Sequence, residues 1–293
     1  MTERRSPTIR RRRLGAELRR RREGAGVTID GVAERLECSA SKISRIETGH
    51  TSATPRDVRD MLAIYGITGP ECEELVQISR EARQKGWWHP YGAVLAGAYV
   101  GLEAAAHSIR AYEQQAVPGL LQTEDYAKAM IRAARPDFTA DDVDRRVSVR
   151  RARQSLLKED DPIDLWFVLD EAVVSRPVGG DVVMRAQLER LVQAADLPNV
   201  TLQILPFEAG AHAGMDGTFA ILEFPEPSDP EVVYAENATG GLFIEKSDEL
   251  RKYVFIFDHI RAAALRPEES VAYIAKLAKE PLWKARPRGF MST

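Results

Sequence analysis

The sequence is poor in the residue patterns that indicate a disulfide framework or a metal centre. Among its 293 residues are two cysteines, Cys38 and Cys72, and neither stands in a CxxC or Cys/His spacing. Two such cysteines indicate reduced thiols rather than a disulfide-bonded secreted protein. His107, His212 and His259 are far apart in the chain. We therefore expect no metal and no cofactor.

Long apolar runs are also missing. The longest run of small and apolar residues, 93–106, is too short to cross a bilayer and contains Glu103. The first residues, MTERRSPTIRRRR, lack the apolar stretch of a signal peptide. We expect a cytoplasmic, nucleoid-associated protein with no membrane partner.

The net charge is small, but its distribution along the chain is uneven. The whole chain carries −3, whereas residues 1–50 hold thirteen Lys and Arg against seven Asp and Glu. A basic N-terminal segment followed by an acidic remainder of the chain indicates that the N-terminus binds a polyanionic partner. The length suggests two domains, which we place at 1–84, including a basic N-terminal arm, and at 85–293.

Two short helices are predicted near the N-terminus. Thr28 is a good N-cap residue and is followed by apolar residues at helical spacing. Ser39 is a second cap, Ile43 and Ile46 form one stripe of the next helix, and Gly49 ends it. The two helices and their short turn predict a helix-turn-helix inside a mainly α, five-helix domain.

The stretch VTIDGVAERLECSASKISRIETG resembles the Cro and phage-repressor-like helix-turn-helix family, and the likeness covers residues 14–66. The resemblance implies that the second helix lies in the major groove of double-stranded DNA and reads base edges. The base-facing positions are then Ala40, Ser41, Lys42 and Arg45. The full set of candidate DNA-binding residues is Thr28, Ser39, Ala40, Ser41, Lys42, Ser44, Arg45 and His50.

Further positions of the motif bear on this resemblance. Arg22 and Glu47 match a structural pair that holds the first helix of the family to its recognition helix. Ile29 stands where the family usually has a Gln that touches phosphate, so one backbone contact is missing. Glu37 stands where the turn usually has Gly, and a positive φ there would cost about 1 kcal/mol.

The basic segment RRSPTIRRRR, residues 4–13, allows two interpretations. Such a run is usually solvated, but it could also lie along phosphates or in a minor groove. After the predicted five-helix domain comes GWWHPYG, residues 86–92. Trp87 and Trp88 could stack on a base or bind a ligand or partner, although packing against their own domain is the favoured interpretation.

The larger half is predicted to be an α+β domain with a mostly antiparallel sheet. A helix is expected over 94–114. An Arg-rich helix is expected from about Thr139 to Lys158, and a solvated helix that makes salt bridges with the acidic body is favoured over one that binds nucleic acid. Short β-branched and aromatic runs bounded by turn residues then predict strands. These runs are IDLWFVLD, VTLQILPF, GTFAILEF, EVVYAE and GLFIEK.

The larger half also resembles a known domain. Segments such as YEQQAVPGLLQTEDYAKAM, LDEAVVSRPVGG and GGLFIEKSDELRKYVFIFDHIRAAALRPEES are similar to the C-terminal domain of actinobacterial helix-turn-helix regulators, over residues 95–280. That family is described as antitoxin-like, and its members are thought to bind a small companion protein encoded nearby. The resemblance implies a sensing or protein-binding half and supplies no catalytic residues.

No enzymatic motif emerges in this half. The loop EAGAHAGMDGTF offers His212 and Asp216 to a ligand or partner, but its glycines do not form a phosphate-binding loop. A Gly-x-Ser-x-Gly nucleophile motif is absent from the sequence. We therefore expect that the chain is not an enzyme. The weakest hypothesis is that the larger half is an enzyme that the N-terminal domain targets to its site of action.

The leading hypothesis is a sequence-specific DNA-binding transcriptional regulator, acting as a homodimer, whose C-terminal domain senses a partner protein or ligand. The alternative is an antitoxin-like protein that sequesters a small companion protein and binds DNA for autoregulation. A gene for a small protein immediately adjacent to the gene for this chain would favour the alternative.

Overall fold

The described part of the first 83 residues folds as short helices around one apolar core. The structure is a computed structural model, and it describes residues 7–83, 98–158, 161–226, 229, 231–237 and 240–284. Trp87 and Trp88 lie outside the described residues. The helices before residue 83 are α1 (Pro7–Gly24), α2 (Ile29–Arg35), α3 (Ala40–Glu47), α4 (Pro55–Ile64) and α5 (Pro70–Ala82).

Ile43 and Ile46 hold α3 in place, as their spacing predicts. Both side chains are almost fully buried, at 0% and 2% exposed. They join a core built from α1, α2, α4 and α5, whose members include Leu14, Leu18, Val32, Val58, Met61, Leu62 and Val76. Because the apolar stripe of α3 is buried in this core, the polar residues of α3 must face outward.

The remainder of the described chain is built on one six-stranded sheet. Its strands are β1 (Ser108–Glu113), β2 (Asp164–Asp170), β3 (Val200–Leu205), β4 (Phe219–Glu223), β5 (Val232–Asn237) and β6 (Gly240–Ile244). Their order is β3-β2-β1-β4-β5-β6. β1, β2 and β3 run parallel, whereas β4, β5 and β6 form antiparallel pairs from the other side of β1.

The prediction of one helix over 94–114 is wrong. The described part of that segment contains α6 (Ala98–Glu103) and then β1. Ile109 and Ala111 of β1 are buried on one face of the sheet and Tyr112 on the other. The strand SIRAYE is only six residues long and mixes Ser108, Arg110 and Glu113 with its buried residues, so periodicity over so short a stretch does not separate it from a helix. The sheet is mixed but mostly antiparallel, as predicted: three of its five pairings are antiparallel and two are parallel.

Helices cover both faces of the sheet. They are α7 (Glu124–Ala134), α8 (Ala140–Arg153), α9 (Glu171–Ser175), α10 (Asp181–Ala195), α11 (Ser247–Ala263) and α12 (Pro267–Lys279). Apolar residues of α10 and α12 share one core with β1–β3, whereas Phe257 and Ile260 of α11 pack on the opposite face. The result is a layered helix–sheet–helix unit. Within the described residues, no helix has the length and apolar character needed to cross a membrane.

The basic run near the N-terminus is not a free arm from Pro7 onward. Its arginines lie in the first turns of α1 and contact the protein itself. Arg10 pairs with Glu81 at 3.0 Å, and Arg11 Nε donates to the Gly49 carbonyl at 2.7 Å. Arg12 pairs with Glu245, at the end of β6. Tertiary contacts therefore hold Arg10, Arg11 and Arg12, so these three do not form the solvated arm of the first interpretation. Contact of the segment with phosphates stays a prediction, and residues 4–6 lie outside the described residues.

Candidate nucleic-acid interface

Thr28 and Ser39 begin the two helices of the motif. Thr28 Oγ1 accepts a hydrogen bond from the Gly31 amide at 3.1 Å, and Ser39 Oγ accepts one from the Lys42 amide at 3.2 Å. Each hydroxyl thus satisfies an amide that the helix leaves unpaired. Both residues are exposed at the surface. The predicted caps are confirmed.

The turn between α2 and α3 requires a positive φ at Glu37. Its φ is +50°, and Glu37 is the one non-glycine residue with positive φ in the described part of the chain. A residue with a Cβ is disfavoured in this conformation. The helix-turn-helix geometry is therefore retained at Glu37 in spite of the side chain.

A buried ion pair joins α1 to α3. Arg22 Nε and Nη2 donate to the two carboxylate oxygens of Glu47 at 2.7 and 2.9 Å, and Arg22 Nη1 donates to the Val27 carbonyl at 3.0 Å. Hydrogen bonding to Glu47 raises the pKa of Arg22. The two residues are 8% and 6% exposed. The pair expected from the resemblance is present, and it fixes the end of α3 against α1.

Ser41, Lys42 and Arg45 are exposed on the outer face of α3. Ala40 and Ser44 are half-buried at its edges. His50 is exposed just beyond the helix, with Nδ1 at 2.9 Å from Thr48 Oγ1. The structure therefore brings the candidate residues to one surface around α3.

On this surface, Lys42 forms an ion pair with an acidic residue that was not predicted from the sequence. Lys42 Nζ lies 2.8 Å from Asp57 Oδ1 in the first turn of α4. Burial opposes the charge of Asp57, but hydrogen bonds from Lys42 and Thr54 lower its pKa overall. The other oxygen of Asp57 completes a capping box with Thr54. A negative charge therefore stands beside the exposed face of α3.

Two family comparisons cover most of the chain. A helix-turn-helix domain matches residues 13–75, the segment from α1 into α5. A domain of unknown function, DUF5753, matches residues 96–276. The chain belongs to the DUF5753 family. No curated protein and no solved structure matches it. The helix-turn-helix domain makes DNA the partner of the N-terminal helices of this DUF5753 protein.

His212 and Asp216, proposed for ligand or partner binding, differ in burial within their loop of the DUF5753 domain. His212 is half-buried, and its ring packs edge-on to Tyr112 with centroids 5.7 Å apart. His212 Nδ1 accepts from the Gly214 amide at 3.1 Å, which leaves Nε2 toward the Tyr112 hydroxyl at 3.5 Å. Asp216 is exposed. His212 therefore helps to fix its loop on β1, and the described residues contain no cluster suited to a metal ion.

The Arg-rich helix α8 is not simply a solvated face. Arg153 is largely buried and donates to both oxygens of Glu103 at 2.6 Å each. Arg146, Arg150 and Arg153 all line a cavity beside the sheet. Their spacing of four and three residues places them on one side of the helix. The sequence spacing of these three arginines shows that they share one side of α8. It does not show that this side faces the interior of the protein.

Proposed function

We propose that this DUF5753 protein is a sequence-specific transcriptional regulator that places α3 in the major groove of its operator. The exposure of Ser41, Lys42 and Arg45 on a helix whose apolar side is fully buried carries the proposal. Arg and Lys favour the O6 and N7 acceptors of guanine, and Arg can bind both. Under this proposal neither half of the chain catalyses a reaction.

The other candidates flank this face and would position the protein on the duplex. Thr28, Ser39 and Ser44 carry hydroxyls, and His50 carries an imidazole, all of which suit phosphate oxygens. Such contacts fix orientation and carry no direct sequence information. We propose that two copies bind as a dimer to half-sites about 34 Å apart.

Selection of binding sites from a random DNA pool, followed by fluorescence anisotropy, tests the proposal. Arg45→Ala should cost about 1 to 3 kcal/mol on the selected site and relax preference at one base pair. Arg80→Ala, an equal charge change on the exposed surface of α5, is the matched control. Equal losses for both variants on every sequence would contradict base readout by α3.

We propose that the DUF5753 domain influences DNA binding by α3 through α1. Ile9 of α1 packs against the core of the larger unit, and Arg12 pairs with Glu245. The same helix holds α3 through Arg22 and Glu47. We propose that a change in the larger unit reaches α3 by way of α1. Arg12→Gln, which breaks one of these contacts, should alter operator affinity without changing the preferred sequence.

Binding of a small companion protein is a second candidate function. A surface groove lined by Phe207, Leu282 and Trp283 favours it, with Phe207 59% and Leu282 46% exposed. Exposed large apolar side chains of this kind are typical of protein-binding surfaces. Co-expression with the product of the neighbouring gene tests it. A stable complex that Phe207→Ser disrupts would support this function, and two separate peaks in size-exclusion chromatography would contradict it.

A further inference from the structure

A cavity of about 420 Å³ lies beside the sheet, near the boundary between its parallel strands and its antiparallel strands. β1 pairs with β2 on one side and with the later strand β4 on the other. Glu113 ends β1, Phe219 begins the antiparallel β4, and both line the cavity together with residues of β5 and α8. In open, mostly parallel sheets, small molecules often bind beyond the carboxyl ends of strands where the strand order reverses, and Glu113 marks the carboxyl end of β1. The volume is within the range of small-molecule sites.

Arg150 brings to this cavity a guanidinium nitrogen that the described residues leave without an acceptor. Its neighbours on α8 are occupied: Arg153 is paired with Glu103, and the guanidinium carbon of Arg146 lies 3.9 Å from the ring centre of Phe138. Arg150 Nη1 is buried and has no hydrogen-bond partner among the described residues. Burial, followed by repulsion from Arg153, lowers the pKa of Arg150 to about 10, so it stays charged at neutral pH.

A buried guanidinium nitrogen without an acceptor is costly for a structural residue. A buried charge is normally paired or hydrogen-bonded, because its loss of hydration is otherwise not repaid. The nearby carboxylate of Glu236 favours the charge of Arg150, but no ion pair joins them in the described structure. An anionic group from outside the chain would supply the missing partner.

The cavity also offers sites for a second polar group. Gln122 Oε1 is buried without a hydrogen-bond donor among the described residues, while Gln122 Nε2 is held by the Val117 carbonyl at 2.7 Å. Burial and then repulsion from Glu236 raise the pKa of Glu113 to about 8, which makes it a neutral carboxyl near pH 7. Apolar side chains, including Val117, Met130 and Val149, complete the lining.

We infer that this cavity binds a small organic molecule through a carboxylate or phosphate group placed on Arg150, with its apolar body against the valine and methionine lining. The inference names the ligand class for the regulation proposed above. It rests on that proposal only for its effect on DNA, because binding itself is measured without DNA.

Titration calorimetry of the full chain with benzoate, phenyl phosphate and benzyl alcohol tests the inference. The three probes share a ring, and benzyl alcohol lacks the anionic group. We expect benzoate or phenyl phosphate to bind at least tenfold more tightly than benzyl alcohol. The tighter of the two identifies the head group as carboxylate or phosphate. Similar affinities for all three probes, or no binding of either anion, would overturn the inference.

Arg150→Met and Arg151→Gln separate this site from general anion attraction. Arg151 is the next residue of α8, is exposed and pairs with Glu124 at the surface. Arg150→Met should weaken anion binding at least tenfold, and Arg151→Gln should leave it unchanged. Without ligand, Arg150→Met should melt at the same temperature as the wild type or higher, because a buried guanidinium nitrogen without an acceptor is removed. A lower melting temperature together with unchanged anion binding would assign Arg150 a structural role and overturn the inference.

The effect on DNA is measured separately. Tyr99 of α6 lines the cavity, Glu103 of α6 pairs with Arg153, and α6 contacts α1. A ligand on Arg150 should therefore change operator affinity, and this change should be lost in Arg150→Met. Anion binding with no change in operator affinity would support the site and contradict regulation through it. Loss of operator binding in every condition would contradict the proposed function while leaving the ligand measurement intact.

Discussion

The guanidinium of Arg22 on α1 binds both carboxylate oxygens of Glu47 on α3, at 2.7 and 2.9 Å. The pair is buried, and it is placed so that the last turn of the recognition helix cannot move independently of α1. Because α1 also contacts the DUF5753 unit through Ile9 and Arg12, this pair links α3 to the helix that contacts the larger unit.

Removal of Arg22 should strongly destabilise the N-terminal helices. Arg22→Ala leaves the Glu47 carboxylate buried without a counter-charge, so we expect a loss of about 3 to 5 kcal/mol in the free energy of unfolding. Arg19→Ala, which breaks the exposed pair with Glu23, is the control and should cost far less, because solvent screens that pair. Urea unfolding followed by circular dichroism measures both. Equal small losses would show that the buried pair adds nothing to stability.

Glycine at position 37 should stabilise the turn. Glu37 has a φ of +50°, a conformation that glycine adopts without the Cβ clash. Glu37→Gly should therefore raise the free energy of unfolding by about 1 kcal/mol. Glu34→Gly, inside α2, should lower it by about 1 kcal/mol. If Glu37→Gly is destabilising in the same urea experiment, the Glu37 side chain makes a contact that outweighs its backbone strain.

Close approach of α1 and α3 depends on Gly15. A Cβ at Gly15 would lie 2.5 Å from the Ile46 carbonyl oxygen and 2.7 Å from that of Glu47, whereas one at Gly24 would meet nothing within 4 Å. Gly15→Ala should destabilise the unit by about 1 to 3 kcal/mol, because backbone must shift. Gly24→Ala should be neutral or slightly stabilising. Thermal melting of the two variants checks this, and equal melting temperatures would show that α1 can shift freely.

Asp57 should weaken DNA binding by its charge. It stands beside α3 and holds Lys42 Nζ at 2.8 Å. Asp57→Asn keeps the shape of the capping side chain, removes repulsion from phosphates and releases Lys42, so affinity for the operator should rise several-fold at low salt. Glu73→Gln on α5 is the control. A fall in affinity for Asp57→Asn would instead show that Asp57 positions Lys42 for the bases.

Glu113 should make stability decrease with rising pH. Burial, with repulsion from Glu236, raises the folded-state pKa of Glu113 to about 8, while its unfolded value is about 4.3. The folded state therefore holds a proton that the unfolded state loses, and stability is full below about pH 4 and declines as pH rises through about 8. Glu113→Gln should remove this decline between pH 5.5 and 8.5 in urea unfolding. Exposed Glu189→Gln should retain it, and identical slopes for all three proteins would contradict a raised pKa.

Features that depend on neighbours along the chain could be predicted. Thr28, Ser39 and the Ile43–Ile46 stripe were found by local rules of capping and helical period. The positive φ of Glu37 followed from its place in a motif of known shape. In contrast, β1 could not be predicted locally, because its six residues are too few for a clear period and its pairing depends on β2 and β4, about 55 and 110 residues away.

The sequence by itself determined the helix-turn-helix, its caps and the outward direction of Ser41, Lys42 and Arg45, because these depend on interactions within a few residues. Only the tertiary structure decided that Arg10 to Arg12 bind the protein, that Asp57 engages Lys42, and that Arg150 faces a cavity. These outcomes depend on which distant side chains approach a charge and how far water is excluded from it. Helical periodicity gives the side of α8 on which an arginine lies, but the packing of the sheet against that side determines whether the arginine meets solvent or a binding site.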